Sequence, residues 1–154
     1  MAKSVAGAAR SAARPAVAGE RDRAIRLLKD AHDAARFPWP FLAAYADGLF
    51  QTHVSNARCL ALALDAGGMV QGLLLASWIE HPFGAGRMAK ETVWWIDPDH
   101  RGRGGLSMLA AYEDWARRQG CTFAGMATLA SNDVSHLYLR RGYQPAETHY
   151  LKAL

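Results

Sequence analysis

The stretch WWIDPDHRGRGG, Trp94 to Gly105, does most to limit what this chain can become. Upstream, KETVWWID is apolar on both faces: Val93 and Trp95 alternate with Trp94 and Ile96, as in a strand covered on two sides. Downstream, LSMLAAYEDWARRQG reads as a helix, with Leu106, Leu109, Tyr112 and Ala116 on one side. Glu113 with Arg117 and Asp114 with Arg118 give favourable i,i+4 pairs, and Gly120 suits a C-terminal cap. A buried strand that breaks into glycine and arginine and then opens a helix makes an anion site. Its free amides point outward, and the helix dipole adds partial positive charge. Gly102, Gly104 and Gly105 admit a close-lying phosphate, and Arg101 and Arg103 add charge. A Cβ at Gly104 is therefore expected to intrude on the ligand, so that Gly104→Val removes binding without unfolding.

The rest of the chain reads as strands and helices in alternation. AARPAV forms a short first strand. Residues 21–36 carry Ile25, Leu28, Ala31, His32 and Ala35 at helical spacing, and FPWP ends that helix. Residues 41–53 form a second helix with Phe41, Tyr45 and Phe50 on an aromatic face. DAGG joins two apolar runs into a hairpin. CTFAGMATL is a strand, DVSHLYLRR a short helix stopped by Gly142, and YQPAETHYLKAL one or two final strands. The order is β-α-α-β-β-β-α-β-α-β-β, an α/β fold with a mixed sheet and helices against it.

Composition narrows the function. Residues 1–30 carry seven Lys/Arg against three Asp/Glu, whereas residues 31–154 carry eleven of each. The basic excess sits at the N-terminal end, which argues against a nucleic-acid groove across the fold. No apolar run reaches the roughly 20 residues of a membrane span, and the expected location is the cytoplasm. Cys59 and Cys121 match no metal-ligand spacing; they read as two buried free thiols in a reducing cytoplasm, the alternative being one disulfide. Asp97 and Asp99 around Pro98 read as turn formers, and no metal site is expected. The glycine turn fits neither GxxxxGK[ST] nor GxGxxG, where Ser107 stands at the third glycine, so a P-loop NTPase and a dinucleotide fold are poor matches.

Ile96, Pro98, Arg101 and Gly104 in WWIDPDHRGRGGL, and Asn132, Tyr138, Gly142 and Tyr143 in SNDVSHLYLRRGY, occur in order and at suitable separation. In this the sequence resembles the GNAT family, the GCN5-related N-acetyltransferases, over roughly residues 13–154. The resemblance implies a central mixed sheet of six to seven strands flanked by about four helices, in one domain over 13–154 behind a flexible tail over 1–12. It implies acetyl-CoA as cosubstrate, an amine acceptor and no membrane partner, and it is compatible with a homodimer. The implied activity is N-acetyl transfer to a primary amine of a small molecule or peptide by direct attack in a ternary complex. The alternatives are transfer to a macromolecule (a protein lysine, an N-terminus or a charged tRNA) and an idle acyl-CoA-binding module.

The same resemblance distributes roles. Trp95, Ile96 and Asp97 lie along the pantetheine arm. Arg101, Gly102, Arg103, Gly104, Gly105 and Leu106 surround the pyrophosphate. Leu106 departs from the small residue usual at its position, and Asn132, or Ser131 beside it, contacts pantetheine. Tyr138 is the general acid for the departing thiolate. Glu91 is the candidate base, sharing strand parity with Val93 and Trp95, and Glu80 and His81 are its rivals. Phe37, Trp39, Phe41, Tyr45 and Phe50 are candidates to line an acceptor pocket or to pack the core. Glu91→Gln is expected to slow the reaction most at low pH.

Overall fold

The computed structural model describes residues 11–154. Its five strands are β1 (Ser11–Pro15), β2 (Cys59–Ala66), β3 (Met69–Glu80), β4 (Arg87–Ile96) and β5 (Cys121–Gly125), and they lie side by side in that order. Four helices accompany them: α1 (Arg21–Ala35), α2 (Ala43–Ser55), α3 (Arg103–Arg118) and α4 (Ser135–Arg140). Neighbouring strands from β1 to β4 are antiparallel, and β5 joins β4 in parallel. A parallel neighbour needs a long crossover, and α3 supplies it. Between β2 and β3 the chain turns on Gly67 (φ 65°) and Gly68 (φ 83°), the left-handed pair that a two-residue hairpin requires.

Strand alternation divides the apolar side chains between two layers. Leu62, Leu64, Leu74, Ile96 and Ala89 bury against Met108, Leu109, Tyr112 and Trp115 of α3 and Tyr138 of α4. Ala61, Ala63, Leu73 and Leu75 bury against Ala24, Leu27 and Leu28 of α1 and Ala46 and Phe50 of α2. The sheet is covered on both sides, as the two-faced apolar pattern of β4 demands.

One irregularity matters for the site. Leu75 pairs with Val93 but Ala76 pairs with Glu91, so Thr92 is an extra residue in β4. This β-bulge resets the alternation. Val93 and Trp95 pack on the α1–α2 side, whereas Ala89, Trp94 and Ile96 pack on the α3–α4 side. Glu91 falls with the second group, so the expected parity with Val93 and Trp95 does not hold. The Thr92 hydroxyl lies 3.4 Å from His53 Nε2, and His53 Nδ1 lies 2.8 Å from the Leu49 carbonyl, tying the bulge to α2.

Three further expectations are corrected. Among the described residues the sheet has five strands rather than six to seven, and residues 144–154 form none. Pro145 removes a backbone donor there, and Tyr150 and Leu151 find no layer to bury against. Leu106 is 42% exposed rather than part of the buried face of α3, which Gly104, Gly105, Met108 and Leu109 begin instead. Asp114 pairs with Arg117 at 2.7 Å rather than with Arg118.

The expected tail over 1–12 overlaps β1, because Ser11 pairs with Ala66 and Ala12 with Asp65; residues 1–10 lie outside the described residues. Removing residues 1–12 is therefore expected to lower Tm by a few degrees more than removing 1–10. Coincident thermal melts of the two truncations would count against that pairing.

Candidate active site

β4 outruns its parallel neighbour. The β4–β5 pairing stops at Lys90 with Gly125, yet β4 continues to Ile96. Beyond Lys90 the strands part and leave one edge of β4 without a ladder. Which groups face that gap follows from the other edge. The Asp97 amide donates to the Gln71 carbonyl at 2.8 Å, so by antiparallel alternation Trp95 also turns its main-chain groups toward β3. Trp94 and Ile96 turn theirs toward the gap. Trp94 is the residue that motif reasoning missed, and the period-two alternation identifies it once register with β3 is known.

Past Asp97 the chain makes a short turn, Pro98–His100, and reaches Gly102, whose φ of 98° only glycine adopts readily. α3 starts there without any side-chain cap, and the Leu106 amide makes an early helical bond to the Gly102 carbonyl at 3.2 Å. The amides of Arg103, Gly104 and Gly105 precede it and lack intrahelical acceptors. Arg101 folds back: its Nε donates to the Ile96 carbonyl at 3.0 Å, and its guanidinium lies 5.0 Å from the centre of the Trp95 ring.

The gap opens into a cleft of about 1010 Å³ that reaches both faces of the sheet. Glu91, Trp95, Ile96, Arg101, Gly102, Gly105, Leu106, Asn132 and Tyr138 all line it. Ser131 does not. Asp97, Arg103 and Gly104 also lie outside the lining. Asp97 has no free polar group to offer. Its amide serves Gln71, its carbonyl accepts from His100, and its carboxylate receives Arg23 at 2.5 Å and Trp95 Nε1 at 3.4 Å. Gly104 faces the wrong way for the expected clash. A Cβ there would stand 2.7 Å from Leu64 Cδ2, in the core. The rivals of Glu91 lie elsewhere: His81 Nδ1 accepts from the Phe83 amide at 3.2 Å and closes its own turn, and Glu80 lies at the distal end of β3.

Glu91 is half-buried, and burial pushes its pKa up to about 7, against weaker opposing pulls from the Ala127 amide and Lys90. Tyr138 is buried against Trp94, with ring centres 6.2 Å apart, and its hydroxyl donates to the Ala127 carbonyl at 2.8 Å. Burial first, and the nearby Glu91 charge second, raise its pKa above the usual phenol value. A carboxyl with a pKa near 7 and a phenol kept protonated thus line the same cleft. Among the described residues no three His, Cys, Asp or Glu side chains are grouped to hold a metal ion. Cys59 and Cys121 are free and half-buried, and burial raises both thiols. No described helix is long and apolar enough to cross a membrane.

The fold has counterparts among known proteins. The profile of the acetyltransferase (GNAT) family matches residues 24–143. The fold is similar to an aminoglycoside N-acetyltransferase, AAC(6')-Iy, solved in complex with CoA (TM-score 0.79, 15% identity, 97% of this chain and 98% of that one). It is also similar to a predicted acetyltransferase with acetyl-CoA from Clostridium acetobutylicum (TM-score 0.76, 14% identity, 94% and 96% covered). A third similar structure is a GCN5-related N-acetyltransferase from Ralstonia eutropha JMP134 (TM-score 0.73, 20% identity, 94% and 99% covered). No curated protein sequence matches the chain.

Proposed function

We propose, since the chain belongs to the acetyltransferase (GNAT) family and uses acetyl-CoA as cosubstrate, that its acceptor is a primary amine of a small molecule or peptide, attacked directly in a ternary complex. The observation that carries this reading is the meeting, in one cleft, of an unpaired strand edge, an uncapped helix start and a single half-buried carboxyl.

The residues suit the cosubstrate. The free edge of β4 at Trp94 and Ile96 matches a peptide-like pantetheine arm as it would another strand. The bare amides from Arg103 to Gly105, with Arg101 nearby, match a pyrophosphate. Asn132 lines the same gap. Bound acetyl-CoA supplies the thioester carbon that the amine attacks. Glu91 removes the proton of the incoming ammonium, a role supported by its place in the cleft and its raised pKa. An open β4 amide donates where negative charge develops on the carbonyl oxygen. Tyr138 holds at its hydroxyl the proton for the departing sulfur.

Tyr138→Phe is expected to lower kcat by about 100-fold with acetyl-CoA affinity retained. The change also deprives the Ala127 carbonyl of its donor, at a cost near 1 kcal/mol. A rise in KM for both substrates without loss of kcat would make Tyr138 a strut for the Ala127 loop instead. The reading as a whole is tested by calorimetric titration with acetyl-CoA, followed by release of free CoA thiol with a series of amines. Binding without release on any amine would leave a binding module, and release only with protein or tRNA acceptors would leave a macromolecular substrate.

A further inference from the structure

The α1–α2 side of the cleft is walled by rings. Phe37 and Trp39 stack with centres 4.8 Å apart and planes 9° off parallel. His32 sits edge-on to Phe37 and Phe41, at 6.2 Å and 5.6 Å, and its Nε2 lies 2.9 Å from the Trp39 carbonyl. Tyr45 completes the wall. These rings are not all core. Trp39 is 49% exposed and Tyr45 79% exposed. Large aromatic side chains left open inside a cleft, Trp39 among them held by its stack on Phe37, point to a ligand that covers them.

Charge selects among ligands. Among the described residues lining the cleft, Glu91 is the one carboxyl and Arg101 the one guanidinium, with no lysine. A polyamine, an amino sugar with several ammonium groups or a lysine-rich segment would bring extra cations beside Arg101 with no second carboxylate to receive them. A single ammonium has its one partner in Glu91.

We propose that the acceptor is a small monoamine bearing an aromatic ring, the ring covering the Phe37–Trp39 wall and the amine directed to Glu91. This rests on the reading that an amine is acetylated here. Covering a phenyl-sized surface favours such an amine over a ringless one by about 30-fold in kcat/KM.

The experiment compares thiol release with 2-phenylethylamine, n-butylamine, spermidine and the tripeptide Ala-Lys-Ala, in wild type and in Trp39→Ala. Trp39 is an exposed loop residue, and acetyl-CoA affinity serves as the folding control for its variant. The expected result is the highest kcat/KM on 2-phenylethylamine, and a fall of about 10-fold in Trp39→Ala that brings it toward the n-butylamine value. Equal rates with and without the ring, preference for spermidine or the tripeptide, or an unchanged ratio in Trp39→Ala would each overturn the proposal while leaving acetyl transfer intact. Should no amine release thiol, acetyl transfer itself fails. Calorimetric titration of 2-phenylethylamine into the CoA-loaded protein then decides the ring site, with binding lost in Trp39→Ala supporting it and no binding to wild type refuting it.

Discussion

Glu91→Gln is expected to lower kcat by at least about 100-fold above pH 7 and to erase the rising limb of the pH–rate profile. The wild-type carboxyl titrates near 7, so below that pH it already holds a proton and cannot act as a base. The penalty of the substitution is thus greatest at high pH, the reverse of what amine protonation alone suggests. Stability should move the other way. Burial raises the folded-state pKa from 4.5 to about 7, so the folded protein favours the proton that the unfolded chain gives up. The stability associated with that proton is complete below pH 4.5 and is lost as pH rises through 7. Glutamine does not titrate. The variant should therefore match wild type near pH 4 and exceed it at pH 8, by at most about 3 kcal/mol. A variant that is slower and more stable at pH 8 is the expected signature. One with an unchanged pH–rate profile would remove Glu91 from the chemistry, and one with unchanged stability would deny its burial as a charge.

Gly104→Val is expected to lower Tm by roughly 5–10 °C, corresponding to about 2–3 kcal/mol of overpacking. The added Cβ would meet Leu64 Cδ2 at 2.7 Å, Leu64 Cδ1 at 3.1 Å and Ser11 Oγ at 3.2 Å. Leu64 is fully buried and has nowhere to retreat. Gly104 is thus the place where α3 comes down onto the sheet, and its small size sets how closely the helix start approaches β2. Pairing the change with Leu64→Ala should recover part of the loss, giving a coupling of opposite sign to the single effects. A Gly104→Val protein that melts like wild type but no longer binds acetyl-CoA would restore the ligand-facing reading.

Patterns within one segment were legible in the sequence. The two-faced strand, the glycine turn and the start of α3 could be read from Val93 to Leu109 because each depends on near neighbours. So could the DAGG hairpin. Relations between segments could not. Which way Gly104 points depends on Leu64, forty residues away in the chain. Asp97 looks available until Arg23, from α1, is seen to hold its carboxylate. Glu91 was located correctly along the strand but on the wrong face, since the extra residue at Thr92 appears only when β4 is aligned with β3. The terminal strands expected over YQPAETHYLKAL are missing because Tyr150 and Leu151 have no layer to pack against, which no local pattern reveals.

The irregularity at Thr92 has a consequence for how such a protein can change. Without the extra residue, Glu91 would fall on the same face as Val93 and Trp95. The extra residue carries Glu91 to the opposite face. Val93 and Trp95 look toward α1 and α2, and Glu91 and Trp94 look toward α3 and α4. Substitutions that reshape the ring-lined wall can then accumulate on one side of the sheet without displacing the carboxyl on the other. On the proposed roles, substrate range and reaction chemistry become separately adjustable, and the residue between them is Thr92, beside His53.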